Sequence, residues 1–351
     1  MARLSLIPLL ALLTLAVALS VEPNSLRANA QLNPIAVDTA TPRLTWRLTS
    51  SKRSDNQTAY QIHASSTSSF TSTLWDTGKV SSADPWANYA GDALSSRSAV
   101  FWRVKVWDAA GAESSWSSTG TFEVSLLDRQ DWGDAEWITN KAFATGTTSL
   151  PRFARPFTVT CPVTQARLYI LGLGLHYPLL NGVKVGDDVL SPAYATLNKT
   201  MPYSTYDVLD GLRLGRNVLA VELGKGIYDN TAPLLGRYTK FKQAARELML
   251  LAQLEYTCED GTVEKVATDS SWVTTVDGPW IEAHWYGGEE YDARKEVDGW
   301  AGVCHNRSSW VNASVTTPPA GKLVSPRSPP LKVTETIVAK SVRKVRALFF
   351  F

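Results

Sequence analysis

Hydrophobic and polar residues alternate in short runs along much of the chain, and turn-forming residues separate these runs. The clearest run covers residues 100–108, in which Trp102, Val104 and Val106 alternate with arginine and lysine. Alternation with a period of two predicts a β-strand that buries one face. Residues 24–125 contain no long stretch with the 3.6-residue period of an amphipathic helix. The pattern therefore predicts an all-β fold.

A first module is predicted over residues 24–125. Its alternating segments are bounded by turn residues such as Asp76 and Gly78. Short strands at this spacing within ~100 residues indicate a sandwich of the fibronectin type III or immunoglobulin kind. Tryptophans inside alternating strands are more often core residues than ligand contacts. We therefore expect Trp46 and Trp102 to lie in the core.

A second and larger module is predicted over residues 132–318, after a short linker at residues 126–131. Asn181 and Gly182 separate two apolar segments, which is the strongest short-range signal for a β-hairpin. Residues 247–256 fit either a helix or a strand, and the turn residues that follow them favour a strand. These segments predict a second β-sandwich, of jelly-roll-like topology.

Charge and the N-terminal residues restrict the classes of partner. The 35 basic and 33 acidic residues give a net charge of +2, so neither nucleic acid nor an anionic membrane is favoured as a partner. Arg3, the apolar residues 4–19 and the small residue Ser20 predict a signal peptide over residues 1–20. The apolar stretch is short for a membrane anchor, which is the alternative interpretation. We therefore expect a secreted, extracellular protein with no membrane segment after cleavage.

Cysteines and sequons add to this expectation. Cys161, Cys258 and Cys304 allow at most one disulfide, and we expect the remaining thiol to be buried. Their spacing does not match a zinc site, and no motif in the sequence requires a cofactor. Asn-X-Ser/Thr sequons predict surface glycosylation at four positions. These positions are Asn56, Asn198, Asn306 and Asn312.

Several short motifs occur in a fixed order through both modules. In the first module they are PRLTW (residues 42–46), QTAY (57–60), LWDTGKV (74–80) and FWRV (101–104). In the second they are LNG (180–182), VGD (185–187), YSTYDV (203–208), LGKGIY (223–228), GGEEYDAR (287–294) and GW (299–300). In this order the motifs resemble the N-terminal half of secreted, fungal-type α-L-rhamnosidases. The resemblance extends from about Leu26 to about Val333.

The resemblance implies an enzyme that hydrolyses terminal α-L-rhamnose from glycosides, with its catalytic carboxylates in a following (α/α)6 barrel. It places the start of that barrel near Phe351, where the chain ends, and the tail at residues 319–351 has no match after about residue 338. Glycoside hydrolysis needs two carboxylates that face one bond. Glu289 and Glu290 are strand neighbours and point to opposite faces. We therefore expect no catalytic residue in this chain and no activity from the chain alone.

The acidic motif near the end of the second module has a different implied role. The resemblance places Glu289, Glu290, Asp292 and Arg294 near the junction with the barrel, where they would help to position it. Asp292 also fits a simpler role, as a salt-bridge or turn residue beside Arg294.

The alternative hypothesis is a secreted, calcium-dependent module that binds rhamnosides. Resemblance to sandwich domains of this kind implies that Asn181, Asp229 and Asn230 supply oxygen ligands to calcium. The simpler interpretation is that Asn181 takes a left-handed turn conformation and that residues 229–230 form an ordinary loop. Aromatic side chains can stack on sugar rings. The candidates for this role are Tyr177, Tyr228 and Trp285.

Overall fold

The structure is a computed structural model, which describes residues 19–144, 147–229, 246–285, 287–341 and 343. It separates into two compact units, unit 1 over Met1–Asp131 and unit 2 over Trp132–Phe351. Strand accounts for 41% of the residues and helix for 3%, which confirms the predicted all-β fold. Within the described ranges, no helix is both long and apolar enough to cross a membrane.

Unit 1 is built from short β-strands. In chain order they are β1 (Ser20–Val21), β2 (Arg27–Ala28), β3 (Arg43–Thr45), β4 (Leu48–Thr49), β5 (Ala59–Ser65), β6 (Thr73–Asp76), β7 (Val80–Ser81), β8 (Trp86–Asn88), β9 (Ala99–Trp107) and β10 (Gly120–Glu123). One sheet has the order β10-β9-β5-β6, with β7 also paired to β5, and another has the order β2-β3-β8. The core joins side chains from both sheets, including Leu44, Ile62 and Val104. This arrangement confirms the first predicted sandwich.

The strand predicted around Val104 forms as β9. The side chains of Trp102 and Val104 are buried, whereas Arg103 and Lys105 are half-buried on the opposite face. Trp46 is also buried, and its indole nitrogen donates to a core amide rather than to solvent. The prediction that Trp46 and Trp102 are core residues is confirmed.

Unit 2 contains longer strands and two larger sheets. Its strands are β11 (Ile138–Thr139), β12 (Arg152–Val159), β13 (Val163–Leu173), β14 (Leu175–Leu180), β15 (Val183–Lys184), β16 (Thr200–Pro202), β17 (Ser204–Asp207), β18 (Gly215–Gly224), β19 (Met249–Cys258), β20 (Val263–Ala267), β21 (Val273–Thr275), β22 (Trp280–His284), β23 (Gly288–Tyr291), β24 (Val311–Asn312), β25 (Ser314–Val315) and β26 (Lys322–Val324). The described 3-10 helices are Arg129–Trp132, Leu209–Gly211 and Ala293–Lys295.

Two antiparallel sheets of unit 2 face each other. Sheet A has the order β17-β13-β19-β11-β25, with β20 paired to β19, and sheet B has the order β15-β14-β18-β12-β21-β24. Gly172 in β13 lies against Leu223 in β18, because a Cβ at residue 172 would stand 2.7 Å from the Leu223 side chain. The outer face of sheet B is covered in part by Trp300 and Trp310, which pack on Ala154 and its buried neighbours. The β22–β23 hairpin forms a separate two-stranded sheet.

Two local predictions in unit 2 are confirmed. Asn181 and Gly182 connect β14 to β15, and both have positive φ angles, 54° and 85°. A turn of this kind needs residues that tolerate the left-handed region. Residues 249–258 form β19, the strand favoured by the turn residues. Because β19 is buried along almost its whole length, it shows no alternation, which explains why its sequence fits a helix equally well.

The cysteines form one disulfide, between Cys161 and Cys258. It joins Cys161, two residues before β13, to Cys258 at the end of β19, and Cys258 is itself paired with Val163 in β13. We expected the third thiol to be buried, and this expectation is wrong, because Cys304 is exposed. Cys304 lies in the segment whose tryptophans, Trp300 and Trp310, provide the contacts with sheet B. The packing of this segment therefore rests on its tryptophans and leaves the thiol in solvent.

Candidate functional site

Two depressions lie side by side on unit 2. The first, called here the aromatic pocket, has a volume of about 230 Å³. Its lining residues are Gly172, Leu173, Gly174, Leu175, Pro192, Ala193, Tyr194, Ala195, Thr196, Leu197, Asn198, Ile227, Tyr228, Arg246 and Trp285. Tyr228 and Trp285, two of the three predicted sugar-binding residues, are therefore brought together here. Trp285 is 43% exposed, so part of its ring surface is open to a ligand.

Backbone hydrogen bonds explain why these two aromatics meet. The amides of Lys225 and Gly226, just after β18, both donate to the carbonyl of Ala283 in β22 at 3.0 Å. The amide of Trp285 donates back to the carbonyl of Gly226. Gly226 has a φ of 54°, a conformation that glycine adopts without a steric penalty. The turn after β18 and the end of β22 are thus held together. Tyr228 and Trp285 lie next to these two segments in sequence, so their side chains meet in the pocket.

A buried polar cluster lies beneath this turn. The Lys225 side chain is fully buried, and its Nζ is 2.6 Å from Oε1 of Glu282. His284 lies two residues further along β22, and burial together with the nearby Lys225 charge lowers the pKa of its imidazole. Asp229 is also fully buried. Sequence reasoning missed Lys225 and Glu282, because 57 residues separate them and nothing in their local sequence indicates the pairing.

The predicted calcium ligands are not gathered at this cluster. Leu180 pairs with Leu219 and Leu175 with Gly224, so Asn181 lies at the opposite end of β18 from Asp229. Five residue steps separate Leu219 from Gly224, about 17 Å along the strand.

The amide group of Asn181 already has protein partners. It donates to the carbonyl of Gly211 and to Oδ1 of Asn217, and it accepts from the amide of Val218. Asn230 lies outside the described residues. Among the residues that the structure describes, no group of three or more His, Cys, Asp or Glu side chains is arranged to hold a metal ion.

The second depression, called here the outer cleft, lies on the outer face of sheet B. Its volume is about 400 Å³. It is lined by Leu150, Leu175, His176, Tyr177, Pro178, Lys184, Asp188, Val189, Leu190, Ser191, Tyr206, Glu222, Leu223, Gly224, Trp280, Ala283 and Glu289. Tyr177, the third predicted sugar-binding residue, is 47% exposed here. The outer cleft also contains Glu289 from the acidic motif.

Strand register brings three polar side chains side by side at the outer cleft. Tyr177 in β14 pairs with Glu222 in β18, and Glu222 pairs with Arg152 in β12. These side chains form a row two residues beyond Ala154, and the Trp300 ring lies over the Arg152 guanidinium at 4.4 Å. Arg152 Nε lies 2.7 Å from Glu222 Oε1, and both side chains are largely buried. Burial raises the pKa of Glu222, and the adjacent Arg152 charge counteracts that shift.

The acidic motif does not form a catalytic pair. Glu289 is opposite Ala283 and Glu290 is opposite Glu282 in the β22–β23 hairpin, and both glutamates are exposed. Asp292 accepts two hydrogen bonds of 2.8 Å from the Arg294 guanidinium and caps the following 3-10 turn. The hydrogen bonds from Arg294 lower the pKa of Asp292 to about 2. Asp292 is therefore a salt-bridge and turn residue that stays ionised, which excludes it as a general acid.

The asparagines of the four sequons are exposed in the structure. Asn198 has a further property, because it also lines the aromatic pocket. Asn312 lies in β24, and its side-chain amide donates to the carbonyl of Ser270 at 2.9 Å. Their exposure makes all four accessible, while the modification itself stays a prediction.

Comparison with known proteins places both units in one family. The chain matches the family model of the "Alpha-L-rhamnosidase N-terminal domain" over residues 161–335. It matches the model of the "Rha78A-like, N-terminal immunoglobulin domain" over residues 23–128. An α-L-rhamnosidase of Formosa agariphila is 31% identical over 348 residues, which cover 90% of this chain and 36% of the relative.

Solved structures agree with these matches. The α-L-rhamnosidase of Dictyoglumus thermophilum is 34% identical with a TM-score of 0.80, and that of Aspergillus terreus is 30% identical with a TM-score of 0.81. These similarities cover 90% and 91% of this chain and 36% of each solved chain. The chain thus spans about a third of the length of the curated relatives that it matches. It belongs to the α-L-rhamnosidase family and corresponds to the N-terminal portion of its members.

Proposed function

We propose that this chain is the carbohydrate-binding, non-catalytic part of a secreted α-L-rhamnosidase, and that its aromatic pocket receives a terminal α-L-rhamnose. The observation that carries the proposal is the Trp285 ring, 43% exposed, in one pocket with Tyr228, which is 9% exposed and forms part of the pocket wall. Aromatic rings with an accessible face stack on the apolar faces of sugars. The Arg246 guanidinium lies 5.2 Å from the Tyr228 ring centroid and also lines the pocket.

The size of the aromatic pocket agrees with a small ligand. Its volume of about 230 Å³ lies just below the range of roughly 300–1,000 Å³ that is usual for sites of drug-sized molecules. A single monosaccharide ring is smaller than such molecules. The pocket therefore suits the terminal sugar of a glycoside rather than a long oligosaccharide.

Three carboxylates of unit 2 that form ion pairs support a non-catalytic role. A glycosidase needs one protonated and one ionised carboxyl group across the scissile bond. Asp292 is held ionised by Arg294, and Glu222 and Glu282 are engaged with Arg152 and Lys225. The proposed hydrolysis of rhamnosides therefore belongs to the whole enzyme and is assigned to residues outside this chain.

Isothermal titration calorimetry with L-rhamnose tests the binding role. We expect saturable heat from the chain, and a loss of affinity of about tenfold or more for Trp285→Ala, since a stacking contact is removed. Trp86→Ala is the matched control, because Trp86 is 37% exposed but lies in unit 1. Titrations with calcium and with a chelator test the calcium-dependent alternative. No heat in either condition would contradict the proposed function.

A further inference from the structure

The outer cleft and the aromatic pocket share their walls. Leu175 lines both of them. Residues 189–191 line the outer cleft and residues 192–198 continue into the aromatic pocket, so one chain segment forms a wall of each. Likewise, Ala283 faces the outer cleft and Trp285 faces the aromatic pocket. The two depressions therefore adjoin at Leu175 and are called here the two sections of one surface groove.

The surface of the outer cleft combines an aromatic platform with hydroxyl-binding groups. Tyr177 is exposed on its floor, and Lys184 Nζ lies 5.6 Å from the Tyr177 ring centroid. Trp280 is held on the opposite side by an edge-to-face contact with Tyr291, at 4.6 Å between ring centroids. Glu289 extends from the hairpin beside Ala283. Aromatic faces and carboxylates in one cleft suit a ring that presents both C–H faces and hydroxyl groups.

The charges of the outer cleft narrow the class of ligand. Asp188, Glu222 and Glu289 line it, and Lys184 is the cation among its lining residues. Arg152 compensates Glu222 from the adjacent strand. The remaining excess of carboxylate disfavours phosphate and other anions, because like charges repel. Asp188 accepts from Tyr206 and Glu222 is paired with Arg152, so the exposed Glu289 is the carboxylate to which a neutral, hydroxyl-rich ligand can donate hydrogen bonds.

The two sections also differ in volume. The outer cleft, at about 400 Å³, falls within the range of roughly 300–1,000 Å³ that is typical of small-molecule sites, whereas the aromatic pocket is smaller. We propose that the groove binds a rhamnoside across both sections, with the terminal rhamnose in the aromatic pocket and the sugar that carries it in the outer cleft. This inference rests on the proposed function, because rhamnose in the aromatic pocket sets the direction of the ligand.

Calorimetry with three sugars tests this inference. The ligands are L-rhamnose and two disaccharides with terminal α-L-rhamnose on glucose, one linked 1→6 (rutinose) and one linked 1→2 (neohesperidose). We expect at least one disaccharide to bind about tenfold more tightly than L-rhamnose, because an additional ring is stacked. Tyr177→Ala should reduce that affinity to the level of L-rhamnose and leave the affinity for L-rhamnose unchanged. Trp285→Ala should weaken the binding of all three.

Controls separate this inference from the proposed function. Val183→Ala alters another exposed side chain of the same hairpin region, 65% exposed, and should change no affinity. Thermal melting checks that each variant is folded. If L-rhamnose binds but neither disaccharide binds more tightly, or if Tyr177→Ala weakens all three sugars equally, the two-section groove is wrong while the proposed function stands. If no sugar binds, the proposed function fails and the inference fails with it.

Discussion

The buried ion pair beneath the aromatic pocket should control the stability of unit 2. Lys225 is 0% exposed at its side chain, Glu282 is 9% exposed, and their charged atoms are 2.6 Å apart. The second carboxylate oxygen of Glu282 is buried without a hydrogen-bond partner. Replacing Lys225 with methionine keeps most of the side-chain volume but leaves the Glu282 carboxylate without its cation.

The expected magnitude follows from electrostatics. At 2.6 Å and an effective dielectric constant of about 20, the Coulomb attraction is about 6 kcal/mol. Part of this attraction only offsets the cost of removing both groups from water. Breaking a buried pair on one side costs about 3–5 kcal/mol, whereas replacing both partners with apolar residues is often nearly neutral. Lys225→Met should therefore destabilise unit 2 by about 3–5 kcal/mol, and Lys225→Met with Glu282→Leu should restore most of that loss.

Scanning calorimetry measures this effect, with the transition of unit 1 as an internal reference. The matched control is Lys141→Met, which breaks an ion pair of similar length, 2.5 Å to Glu247, between side chains that are 53% and 42% exposed. Exposed pairs contribute about 0–1 kcal/mol, so this variant should melt almost like the parent. A Lys225→Met protein as stable as the Lys141→Met control would refute the assignment of a buried, stabilising pair.

Three further predictions address unit 2 and its surface. Burial lowers the pKa of His176 to about 4, below the ordinary 6.5. The folded state therefore binds the imidazole proton less readily than the unfolded state does. The contribution to stability is fully present above pH 6.5 and is lost as the pH falls towards 4. His176 should make the free energy of unfolding about 2 kcal/mol larger at pH 7 than at pH 5, and His176→Gln should remove this contribution. Opening the disulfide with Cys161→Ala and Cys258→Ala should cost about 2–5 kcal/mol, whereas Cys304→Ser at the exposed thiol should be neutral in the same melts. Mass spectrometry of protein from a eukaryotic secretory host should find glycan on Asn198 and the other exposed sequons.

Local sequence signals predicted the strands and turns of this fold well. The alternation around Val104 predicted β9, and Asn181 with Gly182 predicted the β14–β15 hairpin, because these features depend on residues close together in sequence. β19 was ambiguous, because a strand buried on both faces does not alternate. The exposure of Cys304 was predicted wrongly, since its surroundings are set by how residues 300–310 pack on sheet B.

The candidate site was predictable only in part. Tyr228 and Trp285 were identified as single aromatics, but their meeting depends on hydrogen bonds between the turn after β18 and the end of β22. The Lys225–Glu282 pair and the Arg152–Glu222 pair join residues 57 and 70 positions apart. Such contacts arise from sheet topology, which local patterns do not encode. Resemblance to a family predicted the two N-terminal domains that the family models match, while the calcium ligands stay a prediction.

The chain is proposed to bind rhamnose without cleaving rhamnosides, and an assay of rhamnose release tests this most directly. Purified chain is incubated with p-nitrophenyl α-L-rhamnoside at a concentration that saturates the groove, and released nitrophenol is measured against a protein-free blank. We predict binding of L-rhamnose by calorimetry and no release above the blank. Turnover that is abolished by Glu222→Gln or Glu289→Gln, the largely buried and the exposed carboxylate of the outer cleft respectively, would contradict the account and make that cleft an active site.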